Sequence, residues 1–195
     1  FANVHGANVQ VVHGVADELL ERLRALDGLS APHLVFGKIL AQAYDTAAFK
    51  CAADAMLLGA GANALFHATA VGVVPDQSGD VDALLVETRS GRCAVRAATF
   101  VDCSGDGDLA HFAGAIMDHG KAMLYPTLMF RVGAVDDRRA GEAWRTIPAL
   151  MDAAEAAGEF RFPRRGAIVR PQRHAGEWRV NVTQLKNADG SAVDG

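Results

Sequence analysis

Two glycines and three aspartates fall within seven residues of the stretch FVDCSGDGDLAHFAGA, residues 100–115: Asp102, Gly105, Asp106, Gly107 and Asp108. Residues of these types at this spacing could cage a metal, cradle a phosphate, hook a sugar hydroxyl, or only cap a helix. The metal would be calcium, because DCSGDG matches the opening D-x-S-x-D-G of an EF-hand loop. That loop needs a bidentate Glu at its twelfth position, where Ala113 stands. The run before Asp102, AVRAATFV, also reads as β rather than as the helix an EF-hand requires. Half a loop motif is weak grounds for a calcium site.

The phosphate chemistry has two glycine signatures. GAGANA, residues 59–64, fits G-x-G-x-x-A, but a dinucleotide fingerprint needs a strand before it and a helix after it. Here a helix-like run precedes and a β-like run follows, so Gly59 and Gly61 read as a helix stop. GDGDLA, residues 105–110, fits the same pattern in the required order of strand, turn and helix. Asp106 and Asp108 would repel a phosphate, yet a carboxylate is favoured at a helix N-terminus and accepts well from ribose or ribityl hydroxyls. The glycine N–H groups stay free to approach a diphosphate. A polar cap without a ligand stands beside this reading.

The elements that must position this turn follow from periodicity. Val15, Leu19, Leu20, Leu23 and Leu26 recur at helical spacing, with acids early, arginines late and Gly28 as the stop. Asp45 or Thr46 caps a second helix with Phe49, Ala53, Met56 and Leu57 on its apolar face. LSAPHLVFGKILAQAY between them has no clear class. ALFHATAVGVV is β-rich, and DALLVETRSGRCAVRAATFVDCS reads as a hairpin bent at Ser-Gly that runs on as a strand through Val101. Beyond it come a strand in YPTLMFRVGAV, a helix containing Pro148, and two short strands in RFPRRGAIVRPQRHAGEWRVNVTQL. This order predicts an α/β fold: a nucleotide-binding region over 1–120 and a second, more antiparallel region over 121–195.

Bulk properties narrow the function. The chain has 195 residues, half of them apolar and 22% charged, with a net charge of −4. Nothing in that charge or its distribution favours nucleic acid, and no apolar run is long enough for a bilayer. Cys51, Cys93 and Cys103 form no CxxC pair, which predicts a reducing, cytoplasmic setting. The first residue is Phe1 and the chain stops at AVDG, so it is expected to be an internal piece of a longer protein.

The run from AYDTAAFK through ALFHATAVGVV to FVDCSGDGDLAHFAGA, followed by YPTLMFRVG, resembles the FAD-dependent oxidoreductases with a glutathione-reductase-type flavin domain. In that family a strand ends in an Asp-Ala-Thr-Gly-Asp-Gly-Asp-like segment before a short helix. RFPRRGAIVRPQRHAGEWRVNVTQ is similar to the family's substrate-side region. The resemblance implies part of a glutathione-reductase-type FAD-binding domain over 1–120 and an α+β substrate-side region over 121–195. It implies FAD as cofactor, with Gly105 and Asp106 against its diphosphate and ribityl chain. Ser104, Gly107 and Asp108 would shape the turn, and Ala70 or Val71 would meet the adenine through the backbone. The family's first glycine fingerprint would lie upstream of Phe1, and its closing flavin segment beyond Gly195.

The resemblance further implies redox chemistry on the flavin and a small-molecule substrate; the charge and the short apolar runs predict no nucleic-acid or membrane partner. Polar candidates on the substrate side are Arg131, Arg173, His174 and Asn181, with His5 and His13 near the start, each of which also has an ordinary surface explanation. His67 and His111 are expected to satisfy local backbone, Trp178 to pack in a core, and Cys103 to be a small buried hydrophobe. The competing reading is a truncated or remnant α/β domain with no cofactor and no catalysis.

Overall fold

A computed structural model describes residues 2–4, 7–35, 39–118 and 125–185. His5 lies outside them. The chain forms two compact units, one of Phe1–Ala62 with Met123–Gly195 and one of Asn63–Ala122. The first unit thus draws on both sides of residue 120.

The first unit begins with a hairpin of β1 (Ala2–Val4) and β2 (Ala7–Val9), followed by helix α1 (Val15–Ala25). Asp17 accepts a hydrogen bond from the Gly14 N–H at 3.0 Å, and Arg22 pairs with Glu18 at 2.8 Å. Acids in the first turn and arginines in the last complement the helix dipole. The left-handed residue that ends α1 is Asp27, not Gly28. Gly28 is needed for another reason: a Cβ there would stand 2.7 Å from the Ala48 Cβ.

The segment without a clear class is a hairpin of β3 (His33–Val35) and β4 (Ile39–Ala41), with a bridge from Leu29 to Tyr44. Helix α2 (Thr46–Gly59) starts from Asp45, whose carboxylate accepts from the Ala48 N–H at 2.7 Å. At its end the Gly61 N–H donates to the Leu58 carbonyl and the Ala62 N–H to the Leu57 carbonyl, the bonding of a Schellman stop. GAGANA is therefore a helix terminus. Leu23 and Ala52 are the buried residues of α1 and α2, which pack on each other.

The second unit holds a meander of β5 (Ala68–Pro75), β6 (Val81–Thr88) and β7 (Gly91–Arg96), with the short helix α3 (Asp108–Phe112) against β5. The central strand carries the buried Ala83 and Val86. Thr88 pairs with Gly91 across the Ser-Gly bend, as the sequence predicts. The expected strand through Val101 is corrected: ladder pairing ends at Arg96. There the partner strand itself has nearly run out, for Arg96 faces Ala83 and β6 starts at Val81. Arg96 is held at that end by Asp82 at 3.0 Å.

The first unit is completed by β8 (Met129–Val132), α4 (Asp137–Ala140), α5 (Ala143–Ala156), β9 (Ile168–Pro171) and β10 (Trp178–Asn181). Pro148 lies inside α5, where it withholds one helical hydrogen bond. The strands form a sheet in the order β8-β10-β9. Trp178 is a core residue as expected, 8% exposed, and its Nε1–H donates to Asp137 at 2.6 Å. Met151 of α5 and Val169 of β9 are buried with it, and α5 contacts β9. The fold is α/β, and every strand pair among the described residues is antiparallel.

Candidate functional site

Asp102 and Ser104 build the turn. The Asp102 Oδ1 accepts from the Ser104 N–H at 2.9 Å and from the Ser104 hydroxyl at 2.7 Å. The Ser104 Oγ accepts from the Asp108 N–H at 2.8 Å, and the Asp102 Oδ2 from the Ala110 N–H at 3.0 Å. Two side chains from before the helix thus satisfy donors of its first turn, which α3 cannot pair internally. The Ser104 backbone, then its hydroxyl, then the Ala110 backbone hold the Asp102 carboxyl below its ordinary value. Asp102 is the organiser that the sequence reading left out of its binding set. Its clue was an Asx-type spacing to Ser104 that the calcium motif obscured.

The rest of the turn faces outward. Gly105 and Gly107 take φ of 95° and 76°, a region that suits glycine, and a Cβ on Gly107 would stand 3.0 Å from the Met117 Cε. Among the described residues, the N–H groups of Gly105, Asp106 and Gly107 find no acceptor, and the exposed Asp106 carboxylate finds no donor. The turn therefore presents free backbone donors beside a free carboxylate, a donor set that fits a diphosphate next to hydroxyls. Among the described residues, no three His, Cys, Asp or Glu side chains gather to hold a metal ion.

Ala70 and Val71 lie on β5, the strand against which α3 packs. Val71 is the extra residue of a bulge, between Ala70 opposite Val86 and Gly72 opposite Leu85. Among the described residues β5 pairs only with β6. Two expectations near the turn need correction. Cys103 is exposed rather than buried, since Asp102 and Ser104 bond to each other and leave it outside the turn. The His67 and His111 side chains bond to no backbone among the described residues; the His111 ring instead meets Phe112 at 5.8 Å.

Most of the substrate-side candidates are tied up within the first unit. His13 meets Asp17 at 3.1 Å, Arg173 meets Asp27 at 2.5 Å, and His174 meets the capping Asp45 at 3.1 Å. The Asn181 Oδ1 accepts from Thr127 at 2.7 Å and from Arg164 at 3.1 Å. Arg131 differs. Its guanidinium donates to the Thr46 hydroxyl at the start of α2 and lines a cavity of about 310 Å³.

Two further arginines, Arg170 and Arg179, line the same cavity with Tyr44 and Gln172, and among the described residues no Asp or Glu lines it. The sheet register explains the gathering: Arg179 stands opposite Arg131 on one side and Arg170 on the other. Directly opposed residues share a face, so the three guanidinium groups form a row across β8, β10 and β9. Burial first, and then the charge of Arg179, push the Arg170 guanidinium below its ordinary value. Neither Arg170 nor Arg179 is singled out by local spacing.

A search of curated proteins found no match, and a search of solved structures found none. The model of the family described as FAD dependent oxidoreductase matches residues 1–194, nearly the whole chain. The chain belongs to the FAD-dependent oxidoreductase family, and FAD is its cofactor.

Proposed function

We propose that the protein catalyses electron or hydride transfer between bound FAD and a small molecule. The observation that carries this reading is the family match over residues 1–194. When bound, the isoalloxazine supplies the redox chemistry, and the protein binds, orients and tunes. The free N–H groups of Gly105 and Asp106 would donate to the diphosphate, and the Asp106 carboxylate would accept from a ribityl hydroxyl. Ser104, Gly107 and Asp108 hold the turn in shape for this, and the backbone of Ala70 or Val71 would meet the adenine. Free turn donors, a free carboxylate and the packing of α3 on β5 support that assignment.

In this reading the unit Asn63–Ala122 serves the flavin and the β8-β10-β9 sheet serves the substrate. Among the described residues, no helix is long and apolar enough to cross a membrane. Three exposed, unpaired cysteines support a reducing, cytoplasmic setting. The test is a visible absorption spectrum after reconstitution with FAD and gel filtration. Flavin bands that co-elute with the chain, and are lost in Asp106→Ala, are the expected result. Bands retained undiminished by Asp106→Ala would remove the turn from the site; a protein colourless at saturating FAD both as this chain and when extended upstream would overturn the flavin reading.

A further inference from the structure

Two neighbouring residues in the turn between β9 and β10 each grip a carboxylate at a helix end. The Arg173 Nε–H donates to the Asp27 carbonyl at 2.8 Å, and its guanidinium pairs with the Asp27 carboxylate just beyond α1. The His174 Nε2 stands 3.1 Å from the Asp45 Oδ2 at the start of α2. Both grips adjoin the cavity: Asp45 lies between Tyr44 and Thr46, which line it, and Pro171 and Gln172 line it just before Arg173. The turn thus joins a wall made by β4 and the start of α2 to a wall made by the β8-β10-β9 sheet, all within the first unit. We propose that His174 and Asp45 form a pH-sensitive latch, which fastens this turn beside the cavity while His174 is protonated and loosens it when His174 is neutral.

The two grips answer pH differently. A guanidinium keeps its charge throughout the physiological range, whereas histidine changes charge within it. The Asp45 carboxyl is held below its ordinary value by the Ala48 N–H and then by His174, so it stays ionised wherever histidine titrates. Protonated, His174 makes an ion pair with Asp45; neutral, it keeps only the hydrogen bond that an Nε2–H can donate, which is weaker. The latch therefore fastens as pH falls and loosens as pH rises. Other charged groups meet it from each side. Asp137 of α4 accepts from the Gly176 N–H at 3.0 Å, and the Glu177 N–H donates to the His174 carbonyl at 3.2 Å. Arg131 of β8 reaches Thr46, the neighbour of Asp45. His33 lines the cavity and is a histidine too, so the test must separate the two. His174 is 58% exposed, so solvent screens the pair, and a shift of about two- to fivefold in the opening of the turn is the scale to expect.

The experiment is amide hydrogen exchange of the full chain by NMR, read at the Gly176 and Glu177 N–H groups, at about pH 5.5 and about pH 7.5, on either side of the ordinary histidine range. Each variant is compared with the parent at the same pH, so that intrinsic exchange rates cancel. His174→Gln is expected to speed exchange about two- to fivefold at the lower pH and to change it little at the higher. Asp45→Asn, which keeps the capping oxygen, is expected to do the same. His174→Lys, charged at both values, is expected to match the parent at the lower pH and to exchange more slowly than it at the higher. Arg173→Gln, which loosens the other grip, is expected to speed exchange by one factor at both. Added salt should shrink the low-pH effect of His174→Gln. An effect of His174→Gln that is equal at both pH values, or absent at both, would overturn the proposal. So would a pH dependence that survives His174→Gln and disappears in His33→Gln. The readout needs no flavin, so the latch and the flavin reading can fail independently.

Discussion

Arg170 of β9 and Arg179 of β10 are direct cross-strand partners, and their charges share one face of the sheet. With Arg131 on the other side of Arg179, the central strand carries the most crowded of the three cations. Replacing Arg179 with Gln is therefore expected to stabilise the ligand-free chain, by about 0.2–1 kcal/mol for each relieved pair. Thermal melts at low salt check this. The gain should shrink as added salt screens the exposed charges.

Asp102 is expected to matter more to the turn than its exposure suggests. In Asp102→Ala the N–H groups of Ser104 and Ala110 lose their acceptor, and α3 loses its tie to the loop. A lower melting temperature and flavin affinity weaker by about tenfold are expected, the latter equivalent to about 1.4 kcal/mol of binding. Equilibrium titration with FAD measures it. Asp102→Asn keeps one acceptor oxygen and should fall between the two.

Gly107 is constrained twice, by a φ of 76° and by Met117. Gly107→Ala is expected to cost about 1–2 kcal/mol from the left-handed backbone alone, plus whatever shift Met117 must make. Chemical denaturation gives the value. Relief of the loss by Met117→Ala would show how much of it is the side-chain contact.

The pH dependence has a definite sign. Asp45 is held below the ordinary value of 3.8 by the Ala48 backbone and then by His174, Asp76 by the Ser78 hydroxyl, and Asp102 by Ser104. Each binds its proton more weakly folded than unfolded. The stability they add is full above the unfolded value and lost as pH falls through the lower folded value. These groups should add no pH dependence to the melting temperature between pH 8 and 5, and it should decline below about pH 4. Asp45→Asn, which keeps a capping oxygen, should shallow that decline.

Much of the fold was legible because it is local. The caps and apolar spacing of α1 and α2, the Ser-Gly bend and the GAGANA stop depend on residues within a few positions of one another. The arginine row was not legible, because Arg131 meets Arg179 only through the pairing of the distant strands β8 and β10, and Arg170 meets Arg179 only through the register of β9 on β10. The strand expected through Val101 failed for the same reason: β propensity says nothing about where a partner strand ends. In the turn, residue types pointed to 104–108, while the anchoring Asp102 was visible only once its hydrogen bonds were.

Cys103, outside a turn whose inner face is closed by Asp102 and Ser104, gives the molecule a chemical reporter next to Gly105. With Cys51 and Cys93 changed to Ser, one thiol would remain for a maleimide or a fluorophore. Its alkylation rate would then follow the opening and closing of this loop in time, without a coloured ligand and without disturbing any of the loop's own hydrogen bonds.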